Sequence, residues 1–217
     1  MDITWIGHGC FQLRDNEIMA ITNPFPDSIG LELNDLKSSI ITVSNVSDYH
    51  NNTEIISGNP VIFNSSGEYE YAGISVTGVM TPLGDEEDVE NRNIAYNIKI
   101  GGLNICHLGD IKKPLTPNQI DELSPCDVLL TPVGGPNTLE VDDILQVIQD
   151  LEPGIVIPMQ YNTPGSDINN VELEPFLSKL GKSEVTRQNR ITLSKTNVEN
   201  ANMELNVLNP QGKILSN

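Results

Sequence analysis

The chain holds three histidines, each in a polar or glycine-flanked setting: His8 in "WIGHGCF", His50 in "SNVSDYHNN" and His107 in "NICHLGD". Near neutral pH an imidazole either moves protons or binds a metal ion. Asp110 follows His107 by three residues, and a carboxylate near an imidazole makes an acid–base pair or two ligands for a cation. At the sharpest reading, His8, His50 and His107 converge with Asp110 on one site. At the blandest, His8 and His107 are hydrogen-bonded structural residues and His50 is a remnant. Two protein ligands are too few for zinc, which takes four in a closed site and three in a catalytic one. Amide oxygens of Asn45 or Gln160, added to His50 and Asp110, would suit a hard cation, though weakly. Ser47, His50 and Asp110 supply the residue types of a nucleophile, a base and an orienting acid. No Gly-x-Ser-x-Gly nucleophile elbow surrounds Ser47, however, and Ser-His-Asp combinations arise easily by chance. Cys106 and His107 are neighbours in a strand-like run, so they point to opposite faces and make no dyad. Gly134-Gly135 and Gly101-Gly102 lack the following Lys-Ser/Thr of a phosphate-binding loop and read as turns.

Strand signals dominate the part of the chain that must position these groups. "DITWIGHGCFQLR" (2–14) has β-rich ends around a Gly-His-Gly interruption, and "EIMAITNPF" (17–25) stops at Pro24. "SSIITVS" (38–44) and "PVIFNSS" (60–66) are short apolar strands. "GEYEYAGISVTGVM" (67–80) and "NIAYNIKIGGLNICHLGD" (93–110) read as hairpins turning at Ala72-Gly73 and Gly101-Gly102. "GDEEDVEN" (84–91) reads as a solvated loop. Helices then enter. Thr116 caps a helix with Pro117 at its first position, and 138–153 places Val141, Ile144, Leu145, Ile148 and Leu151 on one face. Residues 169–182 read as a third, short helix. "CDVLLTPVGG" (126–135) and "GIVIPMQY" (154–161) are buried strands, and 189–209 reads as one or two closing strands. Strands followed by β-α-β-α alternation predict an α/β fold of sheets covered by helices. With no linker or repeat, one domain over 1–217 is expected.

The balance of 12 Lys+Arg against 30 Asp+Glu gives a net charge of −18. That charge repels phosphate backbones and anionic lipid, which excludes nucleic acid and membrane surfaces as partners. Cys10, Cys106 and Cys126 form no close pairs and read as buried small residues in a reducing compartment. With no signal-peptide pattern and no apolar run near 20 residues, the expected location is the cytoplasm.

Several strings, in order, resemble blocks of the metallo-β-lactamase superfamily: "ITWIGHGCFQLR", "TNPF", "GEYEYAGISVTGV", "GLNICHLGD", "DVLLTPVGG", "VIPMQYNTPG" and the closing "LSKTN". The branch they resemble is that of small bacterial zinc-dependent hydrolases related to the ascorbate-phosphate lactonases. The resemblance implies a four-layer αββα sandwich with a metal centre at one edge, between the sheets. It also implies a ligand set in which His50 and Asp110 keep a ligand type. Asn45 and Ser47 replace the His-x-His pair, Tyr49 the following Asp, a residue near Leu83 a loop His, and Gln160 the last His. Asn23 stands where the branch's strand-ending Asp-Pro-Phe has its carboxylate. If the ions are gone, buried carboxylates become costly, and Asn23 and Tyr49 remove two of them. The reading that follows is a metallo-β-lactamase-fold protein without hydrolytic activity, a pseudoenzyme serving as a binding or assembly module with no cofactor. The alternative is a hydrolase of a small ester, lactone or phosphorylated metabolite with a reduced site for zinc or another divalent cation. The partner, a small molecule, a protein or a second copy of the chain, stays open.

Overall fold

The computed structural model describes residues 1–33, 35–82, 92–182 and 184–215. The chain opens with β1 (Asp2–Gly7), β2 (Cys10–Asp15), β3 (Ile18–Thr22), the short β4 (Leu31–Glu32), β5 (Ile40–Thr42) and β6 (Val61–Phe63). Two hairpins follow, β7 (Gly67–Tyr71) with β8 (Ile74–Pro82) and β9 (Arg92–Ile100) with β10 (Leu103–His107). Helices then alternate with strands: α1 (Pro117–Leu123), β11 (Val128–Pro132), α2 (Val141–Leu151), β12 (Ile155–Met159) and α3 (Glu174–Lys179). The chain closes with β13 (Arg187–Gln188), β14 (Ile191–Thr192), α4 (Lys195–Glu199), β15 (Glu204–Leu205), β16 (Val207–Leu208) and β17 (Lys213–Ile214).

These strands form a six-stranded sheet, β14-β1-β2-β3-β5-β6, and a seven-stranded sheet, β15-β12-β11-β10-β9-β8-β7. Successive strand side chains point to opposite faces, and the first sheet uses both. Phe11, Leu13, Ala20 and Ile40 join Val76, Ile98, Ile105 and Leu129 of the second sheet in one core. Cys10, Ile21 and Ile41, one position along, pack with Phe25, Ile29, Leu31 and Ile56 in another. The second sheet's outer side is covered by α2, which buries Ile144, Val147, Ile148 and Leu151. The first sheet's outer layer is thin, made of residues 23–33 with one 3-10 turn at Asp27–Ile29, of Leu36, and of Ile56 after a second turn, Thr53–Ile55.

Local chemistry sets the boundaries. Thr116 and Gln119 form a reciprocal capping box around Pro117, which supplies partners for two orphan amides of the first helical turn. Gly101 and Gly102 both take positive φ, 58° and 77°, as a two-residue hairpin turn that matches strand twist requires. Two expectations change. The 169–182 helix shrinks to Glu174–Lys179, because Pro175 has no N–H to donate and is tolerated only in a helix's first turn. The closing segment contains α4, which the β-branched Thr196 and Val198 concealed; Ser194 and Asn197 cap it reciprocally.

Candidate metal centre

Four connections deliver the site. Asn45 to His50 follow β5, Asp110 follows β10, Gln160 follows β12, and His8 lies in the β1–β2 turn. Strands β10, β11 and β12 run parallel, so the segments bearing Asp110 and Gln160 leave their sheet at the same end, where ligands of such sheets bind. His8, Asn45, Ser47, Tyr49, His50, Asp110 and Gln160 line one cavity of about 380 Å³, with Lys112, Asn137 and Asn170 in its wall. The position near Leu83 and the 84–91 loop lie outside the described residues. A neighbouring cavity of about 320 Å³ shares Asn45 and Val46 and carries Arg92.

The Asp110 carboxylate is the hub. Its Oδ1 accepts from Gln160 Nε2 at 2.7 Å and lies 3.2 Å from His50 Nε2; its Oδ2 accepts from Asn45 Nδ2 at 3.1 Å. The Asp110 N–H donates to Asn93 Oδ1 at 2.8 Å, and Asn93 Nδ2 donates to Thr81 Oγ1 and Leu108 O. Burial pushes this carboxyl up, but His50 and the Gln160 amide outweigh it and hold Asp110 well below the usual carboxylate range. Asp110 is therefore ionised. Asn45 Oδ1 accepts from the Ser47 N–H, and Ser47 Oγ accepts from the Tyr49 N–H. Tyr49 is 44% exposed and presents a ring edge to His8 at 6.2 Å, so the larger phenol has moved to the rim. Buried Asn23 donates to Ser44 Oγ and accepts the Ser44 N–H, which ties the end of β3 to the segment after β5.

The three histidines part company here. His107 is fully buried, with Nε2 2.9 Å from Gly9 O and Nδ1 accepting the Gly109 N–H at 3.2 Å. Both nitrogens are satisfied by the neutral ring protonated at Nε2, and burial pulls its pKa down to about 4. His8 and His50 face each other with ring centroids 5.1 Å apart. Burial and then the His50 charge lower His8 to about 3. Among the described residues, four buried side-chain polar atoms lack a partner: His8 Nδ1, His50 Nδ1, Gln160 Oε1 and, in β5, Thr42 Oγ1. Such an atom costs about 1–3 kcal/mol when nothing meets it.

A two-ion centre does not fit these side chains. Where it needs imidazoles and carboxylates, Asn45 and Gln160 offer neutral amides, and Ser47 and Tyr49 offer a hydroxyl and a rim phenol. A single cation fits. One ligand atom from each of His8, His50 and Asp110 lies within 4.8 Å of the others, and three of the unpartnered atoms belong to the same cavity wall. The cysteines offer no alternative chemistry: all three are free and buried, burial pushes the Cys10 thiol up, and Cys106 Sγ donates to Leu123 O. Ser47 Oγ is bonded to the Tyr49 N–H rather than to His50. Sequence reasoning missed Asn93, which anchors Asp110; an Asn buried within an apolar strand was the available signal.

Two large sheets with a polar, histidine-bearing cavity where parallel strands end define a metallo-β-lactamase-type hydrolase scaffold. Residues 2–160 match the family model of the β-lactamase superfamily domain, and the chain belongs to the metallo-β-lactamase superfamily. It is 26% identical over 203 residues to a UPF0173 protein of Pyrococcus furiosus, covering 85% of this chain and 93% of that one. A UPF0173 metal-dependent hydrolase of Thermoplasma acidophilum is 26% identical over 206 residues, covering 83% and 91%. A Thermotoga maritima protein assigned to the Zn-dependent hydrolases of the superfamily superposes with a TM-score of 0.78 at 27% identity, over 96% of this chain and 98% of its own.

Proposed function

We propose that the chain acts as one metallo-β-lactamase-like domain over residues 1–217 with a single-cation centre, hydrolysing a small ester, lactone or phosphorylated metabolite. The observation that carries this is one ligand atom from each of His8, His50 and Asp110 within 4.8 Å of the others, with His8 Nδ1 and Gln160 Oε1 unpartnered, around an ionised carboxylate. The relatives described as metal-dependent hydrolases support it, against the expectation of a chain without cofactor. His50 and Asp110 would hold the ion. A divalent cation bound there would polarise a carbonyl or phosphoryl oxygen and acidify a water.

The chain's own groups supply the rest. Asn93 fixes the Asp110 backbone, and Asn45 and Gln160 fix the two carboxylate oxygens. His50 Nε2, 3.2 Å from Asp110 Oδ1, lies beside that oxygen and faces the same point in the cavity. Lys112 and Arg92 place positive charge on the two cavity walls of a chain carrying −18, which suits an anionic substrate and no nucleic acid or anionic membrane. No helix among the described residues is long and apolar enough to cross a membrane.

The test is hydrolysis of an aryl ester, a lactone and an aryl phosphate by protein loaded with Zn²⁺ or Mn²⁺. Turnover that a chelator removes and Asp110→Asn abolishes is expected; loaded protein inert on all three would sink the proposal. One observation favours the non-hydrolytic module instead: the amide N–H groups of Asn45 and Gln160 satisfy Asp110 with no cation at all. On that reading the purified protein takes up no metal, and chelators leave its melting temperature unchanged.

A further inference from the structure

We propose that His8 is a metal ligand in this chain, completing a site of His8, His50 and Asp110 to which Gln160 adds its amide oxygen. The proposal rests on the single-cation reading and assigns the two ligands that His50 and Asp110 lack.

Zinc in a catalytic site takes three protein ligands. His8 is the third imidazole or carboxylate within reach: one ligand atom from each of the three residues lies within 4.8 Å of the others. Its turn is held firmly. Trp5 Nε1 donates to His8 O at 2.9 Å, and His8 adopts φ 46°, in the left-handed region that a non-glycine residue adopts at a cost. The turn presents to the cavity a ring whose buried Nδ1 meets no donor and no acceptor.

Gln160 supplies the second strand of the argument. Its Nε2 lies 2.7 Å from Asp110 Oδ1 and 3.4 Å from His50 Nε2, while Oε1, on the other limb of a buried amide, has no partner. The two limbs exchange places by rotation about one terminal torsion. Turned round, the oxygen stands with Asp110 Oδ1 and His50 Nε2, and three acceptors repel unless a cation lies among them. Their spacings of 2.7, 3.2 and 3.4 Å approach the edge of roughly 3.4 Å implied by tetrahedral bonds of about 2.0–2.1 Å. The amide therefore has two orientations, N–H to the carboxylate without an ion and C=O to the ion with one.

The experiment is cobalt and zinc titration of the wild-type protein followed by calorimetry, with X-ray absorption counting the imidazoles around the bound ion. One ion per chain with two imidazoles is expected. His8→Gln should weaken binding on the order of 100-fold, with the melting temperature of the metal-free protein held within a few degrees. One ion with a single imidazole, or His8→Gln binding as tightly as wild type, overturns the assignment of His8 while the single-cation reading stands. No ion bound by the wild type overturns both. The imidazole count uses only the native chain, so it decides the matter even where His8→Gln folds poorly.

Discussion

Asp110 has two polar surroundings, one behind it and one in front. Behind, the Asn93 side chain makes three hydrogen bonds, His107 spends both ring nitrogens on backbone groups, and Asn23 clasps Ser44 in both directions. In front, His8, His50 and Gln160 each keep a buried atom without a partner. Both regions are buried, polar and rich in amides and imidazoles. A satisfied network stabilises and specifies a fold, whereas an unsatisfied one of the same composition is held in place by its surroundings and is available to something else. Residue type separates the two regions poorly; partner count separates them well.

The comparison breaks most easily at Asn93. Asn93→Ala strips a partner from the Asp110 N–H, Leu108 O and Thr81 at once, and should cost about 3–4 kcal/mol in urea unfolding. A loss under 1 kcal/mol would mean that the rear network is no better bonded than the front.

Acid titration sharpens the contrast next. His107 has a folded pKa of about 4 against an ordinary 6.5, so between those values the unfolded chain binds the extra proton. Its contribution is fully present above pH 6.5 and is lost as pH falls towards 4, to the extent of about 3 kcal/mol. His107→Gln should flatten that part of the pH–stability curve relative to wild type. Parallel curves for the two proteins would show that the neutral ring is not what the rear network requires.

The smallest effect belongs in front. Gln160→Met removes an oxygen that meets nothing and a single N–H bond to Asp110, and should change metal-free stability by less than about 1 kcal/mol. The same substitution should reduce the rise in melting temperature produced by saturating Zn²⁺. A loss of several kcal/mol in the metal-free protein would place Gln160 with the structural residues.

Much of this was legible in the sequence. Thr116-Pro117 announced α1, Gly101-Gly102 marked the hairpin that aims Asp110, and the order of blocks brought Asn45, His50, Asp110 and Gln160 to one cavity. These are local signals or long matched strings. The parts that failed depend on partners distant in the chain. Asn93 is recognisable as an anchor only once β9 lies beside the end of β10. His8 and His107 look alike in sequence, each close to glycine, and only Gly9 O and the Gly109 N–H tell them apart. α4 was concealed for the opposite reason: a short capped helix of β-branched residues reads as strand until the closing segment has a sheet edge to cross.

The edge strand of the first sheet has a consequence for synthesis. β1 pairs with β14 through Asp2–Thr192 and Ile3–Ile191, the amino terminus donates to Leu193 O, and β4 pairs with β17 through Leu31–Ile214. Residues 1–3 are thus completed by partners some 190 positions further along the chain. A chain still on the ribosome at residue 180 carries β1 as an open strand edge, which invites pairing with another chain. Contacts of such sequence separation also form slowly. The sheet closes only once β14 is available, and truncation before residue 190 should yield aggregating protein rather than a smaller folded one.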